Sequence, residues 1–207
     1  MSSFLRQAGI LLLFLAICLR ADDKKKPGYY LKAGQTTDLD VQKLTTAKQN
    51  CENWAVAAGL EDILKKQGVP FDQNFWVTRL SGSEVCIDNA PTMETVARAV
   101  NGEFVLDDRR HVRLELHYVS GAPSNVDEVV YGIQQKRISL LLLRGHPFYL
   151  TGVTYDEYIG RDGSRMFEIR ELRLANTYAK LPGLAFQKGR DDPADINGML
   201  TVVVNPV

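Results

Sequence analysis

An α+β fold, with an N-terminal helical part packed on a C-terminal antiparallel sheet, is what this 207-residue chain predicts. Three observations point there. Between Cys51 and Gln67, Trp54, Ala57, Ala58, Leu60, Ile63 and Leu64 recur at helical spacing. Residues 111–118 alternate, with Val112, Leu114, Leu116 and Tyr118 on one face and His111, Arg113, Glu115 and His117 on the other. Asp162-Gly163 between two apolar runs is a hairpin signal. Helices first and strands after them make an α+β protein rather than an alternating α/β one.

The elements follow in order. Asn50 is a good N-cap, which would put Cys51 in the first turn of a helix that Gly68 stops. A short helix is expected around Asp72 to Leu80 and another from Pro91 to Val100, ended by Asn101-Gly102. After the alternating strand, Ser124-Asn125-Val126-Asp127 has capping-box spacing and opens a helix to about Gln135. Strands are expected at Ile138 to Leu143, His146 to Tyr155, Met166 to Leu174 and Leu200 to Val204. In the third of these, the alternation of Phe167 and Ile169 slips at Arg170-Glu171, as a bulge would make it, and resumes at Leu172 and Leu174, with Asn176 next in phase.

Composition narrows the class. At 45% apolar and 24% charged, with 16 Gly and 8 Pro, usage is that of a globular domain, which disfavours disorder, collagen-like repeats and a coiled coil. Lysine plus arginine and aspartate plus glutamate each number 25, so bulk charge recruits neither nucleic acid nor an anionic membrane.

Arg6 followed by the run Ala8 to Leu19, then Ala21-Asp22-Asp23, has the layout of a secretory signal, and the run is shorter than the roughly 20 residues that span a bilayer. The expected organisation is a signal peptide at 1–21, a flexible lead-in at 22–48 and one domain at 49–207, secreted or periplasmic, with no integral membrane span in the mature chain. Loss of Cys18 with the leader leaves Cys51 and Cys86, for which a single disulfide is one reading in an oxidising compartment. The other readings of Cys51 are an activated nucleophile and an inert buried thiol.

A thiolate is favoured at a helix N-terminus, but it needs a histidine as base and a third group to orient that histidine. His111 and His117 lie on the polar face of their strand, whereas His146 opens an apolar strand in phase with Phe148 and Leu150. The chain order becomes Cys51, His146, Asn176. A locally hydrogen-bonded core histidine and a strand-end Asx turn are the alternatives for His146 and Asn176. His111 and His117, six residues apart along a strand and so roughly 20 Å apart, cannot share one ion, and no metal site or cofactor is expected.

Three segments carry a resemblance to a known family: Gln49-Asn50-Cys51-Glu52-Asn53-Trp54-Ala55, Gly145-His146-Pro147-Phe148-Tyr149-Leu150-Thr151-Gly152-Val153 and Leu172-Arg173-Leu174-Ala175-Asn176-Thr177-Tyr178. They resemble the papain-like cysteine peptidases, and more closely the secreted bacterial branches related to the bacteriocin-processing type. The resemblance implies a hydrolase that cleaves a peptide or related amide through a thioester, with Cys51 as nucleophile, His146 as base and Asn176 as orienting residue. It implies Gln49 as the oxyanion donor and a peptide or protein as substrate. The alternatives are a papain-fold protein without turnover that binds a peptide or partner, and a secreted domain in which Cys51 and Cys86 are bridged. Three departures accompany the resemblance, one of which is that thirty residues separate His146 from Asn176, the excess being the Asp162-Gly163 hairpin. The family's glutamine usually lies about six residues before the cysteine, where this chain has Thr45, and its tryptophan directly follows the cysteine, whereas Trp54 stands three after Cys51.

Overall fold

The structure is a computed structural model that describes residues 29–38, 50–84, 86, 91–177 and 181–207. Among the described residues, four α-helices and eight strands make a mixed fold of helix and antiparallel sheet, as composition and periodicity predict. The strands are β1 (Tyr29–Asp38), β2 (Gly102–Val105), β3 (His111–Ser120), β4 (Ser139–Leu143), β5 (His146–Gly160), β6 (Arg165–Asn176), β7 (Leu184–Gln187) and β8 (Ile196–Pro206). The helices are α1 (Ala55–Lys66), α2 (Gln73–Ser81), α3 (Met93–Val100) and α4 (Val126–Gln134).

All eight strands join one sheet in the order β2-β3-β8-β4-β5-β6-β7, with β1 alongside the far half of β5. β5 is long enough to serve two neighbours on one edge: β4 pairs with residues 146–150 and β1 with 152–160. Two slips in its other ladder, against β6, leave Thr151 and Arg170 without a partner across the ladder. The second lies where the broken alternation predicts it. The first is stabilised by the Thr151 hydroxyl, which donates to the Arg173 carbonyl at 3.0 Å.

Register assigns the two faces. Leu140 pairs with Tyr149 and with Leu200, and a Cβ on Gly59 of α1 would sit 2.8 Å from Leu140. That face therefore carries α1. Phe104, paired with Val112, lies on the same face and packs in a cluster with Phe71, Phe75 and Trp76 at the start of α2. The other face carries α4, which closes over Ser139, Leu150, Met199 and Thr201. From the same helix Tyr131 meets Phe167 edge-on and the Gln134 amide donates to the Tyr155 hydroxyl at 3.0 Å.

Two adjacent carboxylates anchor α1 although both are buried. Neighbours on a helix point about 100° apart, so they reach different partners. Asp62 accepts from the Tyr149 hydroxyl at 2.5 Å, tying helix to sheet. Glu61 accepts from the Gln73 backbone N–H at 3.0 Å, at the start of α2, and pairs with Lys65. An acidic group at a helix N-terminus satisfies one of its orphan donors and suits its dipole.

Several local expectations need correction. The segment 22–48 is not a flexible lead-in throughout, because Tyr29–Asp38 forms β1; a register slip between Lys32 and Gln35 breaks the alternation by which a strand is recognised. Cys51 is not in the first turn of an α-helix: a short 3-10 turn, Glu52–Trp54, intervenes, and Cys51 precedes it with an extended backbone. Asn125 rather than Ser124 caps α4, accepting from Glu128 N–H at 3.3 Å. Strands β2 and β7, four residues each, are too short for a periodic signal. The leader at 1–21 lies outside the described residues, and among those described no helix is long and apolar enough to cross a membrane.

Replacing Tyr149 by Phe should cost about 1–3 kcal/mol in chemical denaturation, because it strips the buried Asp62 carboxylate of a donor. Burial, reinforced by the charge of Asp62, holds the Tyr149 phenol far above its ordinary value of 10.0. The unfolded chain ionises this phenol near that value while the folded chain keeps its proton, so the contribution is complete below pH 10 and falls as pH rises beyond it. Stability measured from pH 8 to 11 should therefore decline less steeply in Tyr149→Phe than in the parent chain.

Candidate functional site

Around Cys51 the chain is held by hydrogen bonds that sequence patterning does not reveal. Asn50 N–H donates to Gln73 Oε1 at 3.2 Å, and Gln73 is in turn held through its own N–H by Glu61. This brings the segment before α1 against the start of α2, with Cys51 half-buried on the core. There Cys51 is joined to Cys86 by a disulfide, with Cα atoms 6.0 Å apart, within the ordinary span of such bridges. Cys86 is exposed, in the connection between α2 and α3. The bond closes a loop of 35 residues that contains both α1 and α2.

His146 is placed by one of the tightest connections in the fold. Arg144 and Gly145 both have positive φ, 51° and 79°, as a two-residue hairpin turn between β4 and β5 requires. The Gly145 N–H donates to Asn197 Oδ1 at 2.6 Å and the Arg144 guanidinium to Asp195 at 2.7 Å, pinning the turn to the start of β8. His146 pairs with Leu143 and is exposed at the sheet's end. Its phase is that of Phe148 and Leu150, so its side chain leaves the strand on the face carrying α4 rather than α1.

Asn176 pairs with Phe148, one diagonal step from His146 and on the same face. Beside it the Thr177 hydroxyl donates to the Pro147 carbonyl at 3.3 Å, closing the end of the β5–β6 ladder. The structure thus brings His146 and Asn176 together on neighbouring strands and brings Cys51 to Cys86. Gln49 lies outside the described residues. His111 and His117 are exposed on β3, as alternation predicts, and among the described residues no three metal-ligating side chains converge.

Sequence patterning did not single out Asn53. It follows Cys51 by two, precedes Trp54 directly and, with Trp54, Val56, Val77, Leu80 and Pro91, lines a small apolar cleft between the start of α1 and α2. The signal available for it was its place just before the only tryptophan near the start of the helix.

No family model matches this chain, and neither a curated protein nor a solved structure does.

Cross-linking residues 35 apart stabilises a fold chiefly by restricting the unfolded chain, by roughly 4 kcal/mol in the loop-entropy treatment. Cys51→Ser with Cys86→Ser should therefore unfold at distinctly lower denaturant, by about 2–4 kcal/mol, and adding a thiol reductant should lower the parent chain to the same midpoint. Coincident midpoints for oxidised parent and double variant would show that the bridge does not restrain the fold.

Proposed function

We propose that this chain is a secreted domain of papain-like arrangement that binds a peptide or protein partner without cleaving it. The observation that carries this reading is the Cys51–Cys86 disulfide. A sulfur in a disulfide has no thiolate to attack a carbonyl, so the residue in the nucleophile's place in the chain order is occupied structurally. A bridge of this kind also suits the oxidising compartment to which the leader would send the chain.

The resemblance points the same way. In its pattern the tryptophan directly follows the reactive cysteine, whereas here Cys51 lies three residues before Trp54 and Asn53 stands between them, next to the tryptophan. A carboxamide is neutral and a poor nucleophile, with no proton whose removal at ordinary pH would activate it. Cys51, two residues earlier, is free to serve as a staple. On this reading the helix-on-sheet body of a papain-like enzyme persists and the chemistry does not.

The hydrolase is a second reading for the reduced chain: His146 and Asn176 lie on one face of adjacent strands in the order the resemblance gives, but that face carries α4, so Cys51, which leads into α1 on the opposite face, would have to move to reach them. There Cys51 would attack, His146 would relay the proton and Asn176 would orient it.

One experiment separates the two. The mature chain, unfolded without reductant, should titrate with no free thiol, and a thiol-directed peptidyl electrophile should leave its mass unchanged. After mild reduction, iodoacetamide at pH 6 should modify Cys51 and Cys86 at similarly slow rates, because neither thiol is activated. Rapid labelling of Cys51 alone, abolished in His146→Ala, would replace the binding reading with the hydrolase. His146→Ala itself should change stability by less than about 0.5 kcal/mol, as exposed positions do.

A further inference from the structure

At the far end of α1 from Cys51, Gln67 and the ends of β3 and β8 border an open cleft of about 640 Å³. It is lined by the basic Arg109, Arg110 and His111 and by the apolar Val112, Val204, Pro206 and Val207. The three basic residues are consecutive because they round the turn from β2 into β3. That turn is closed by Leu106 N–H to the Arg110 carbonyl at 2.9 Å and by Arg109 N–H to the Leu106 carbonyl at 2.8 Å.

Arg110 has a structural occupation: it pairs with Asp108 at 2.6 Å and reaches the Gly68 carbonyl at 2.9 Å, strapping the turn to the end of α1. Arg109 has none. Among the described residues its guanidinium forms no ion pair or hydrogen bond, and it is exposed. Yet its backbone has φ 67°, a left-handed conformation that glycine adopts freely and a side chain adopts at a cost. The other two such residues have accounts of their own. Arg144 pairs with Asp195, and Lys136 follows α4, where a cation suits the helix C-terminus. Arg109 has no comparable role among the described residues, and it lines the cleft.

We propose that this cleft binds a small organic anion with an apolar body, such as an alkyl carboxylate, with the Arg109 guanidinium on the oxyanion and the alkyl chain on Val112, Val204 and Pro206. Arginine offers a planar fork of donors that matches a carboxylate, and an apolar lining favours a ligand that buries hydrocarbon. The inference is independent of whether Cys51 is a staple or a nucleophile.

Calorimetric titration of the full chain with hexanoate, acetate and inorganic phosphate tests it. Hexanoate should bind saturably and at least tenfold more tightly than acetate or phosphate. Arg109→Gly should lose at least tenfold in hexanoate affinity while its melting temperature stays the same or rises, since glycine relieves the strained φ. Arg109→Asn, which also tolerates this conformation, should behave alike and serves if the glycine variant folds poorly. Absence of saturable hexanoate binding, equal affinity for the three anions, or unaltered affinity in these variants would each overturn the proposal.

Discussion

Burial of the sheet's centre from both sides is the constraint on which the other features rest. β4 and the first half of β5 lie between α1 on one face and α4 on the other, and Leu140, Leu141, Tyr149 and Leu150 are all but fully buried. An antiparallel sheet with one wet face shows alternating residues, whereas one covered twice shows a continuous apolar run, which is what Ser139–Leu143 presents. Because so much apolar area is committed there, register cannot slip by one residue without moving Tyr149 away from α1 and Leu150 away from α4. The phase of His146 and Asn176 follows directly.

Charge is used sparingly within this core and only where it orients something. Glu61 and Asp62 could not stay buried without donors, since a desolvated carboxylate is costly. Tyr149, Gln73 and Lys65 supply them. The result is that α1 is held against both the sheet and α2, and its N-terminal approach is set by Asn50 on Gln73. Cys51 is consequently a fixed point, and the disulfide to Cys86 joins it to the α2–α3 connection. Outward from this core the far ends of β5, β6 and β7 carry paired charges, such as Arg170 on Asp156 and Arg173 on Asp38 and Glu171, on the solvated part of the sheet. Such pairs, half-buried at Asp156, Arg173 and Glu171, contribute modestly to stability.

Periodicity was sufficient wherever an element was long and one-sided. The helix following Cys51, the alternation of residues 111–118, the turn at Gly163 and the bulge at Arg170 were legible, as was the presence of α4 though not its cap, because each is a local consequence of side-chain spacing or of backbone permissiveness. The order Cys51, His146, Asn176 was legible too. It is an order along the chain, however, and chemistry depends on distance.

Distance belongs to the tertiary structure. Sequence by itself determined the α+β class and the place of most elements, whereas His146 and Asn176 share a face only because a second slip, at Thr151, shifts the β5–β6 register by one residue, and no local pattern announces that slip. It left three fates open for Cys51, because nothing in the local pattern says which residue from elsewhere will meet a given sulfur. The choice of Cys86 was made by the packing of α1 against α2, through a hydrogen bond from Asn50 to a residue 23 positions away. Strand β1 was likewise decided only in three dimensions, where β5 is longer than the partner beside it and leaves an edge to be covered. Hydrogen-bonding groups at an exposed edge seek partners wherever the chain can supply them.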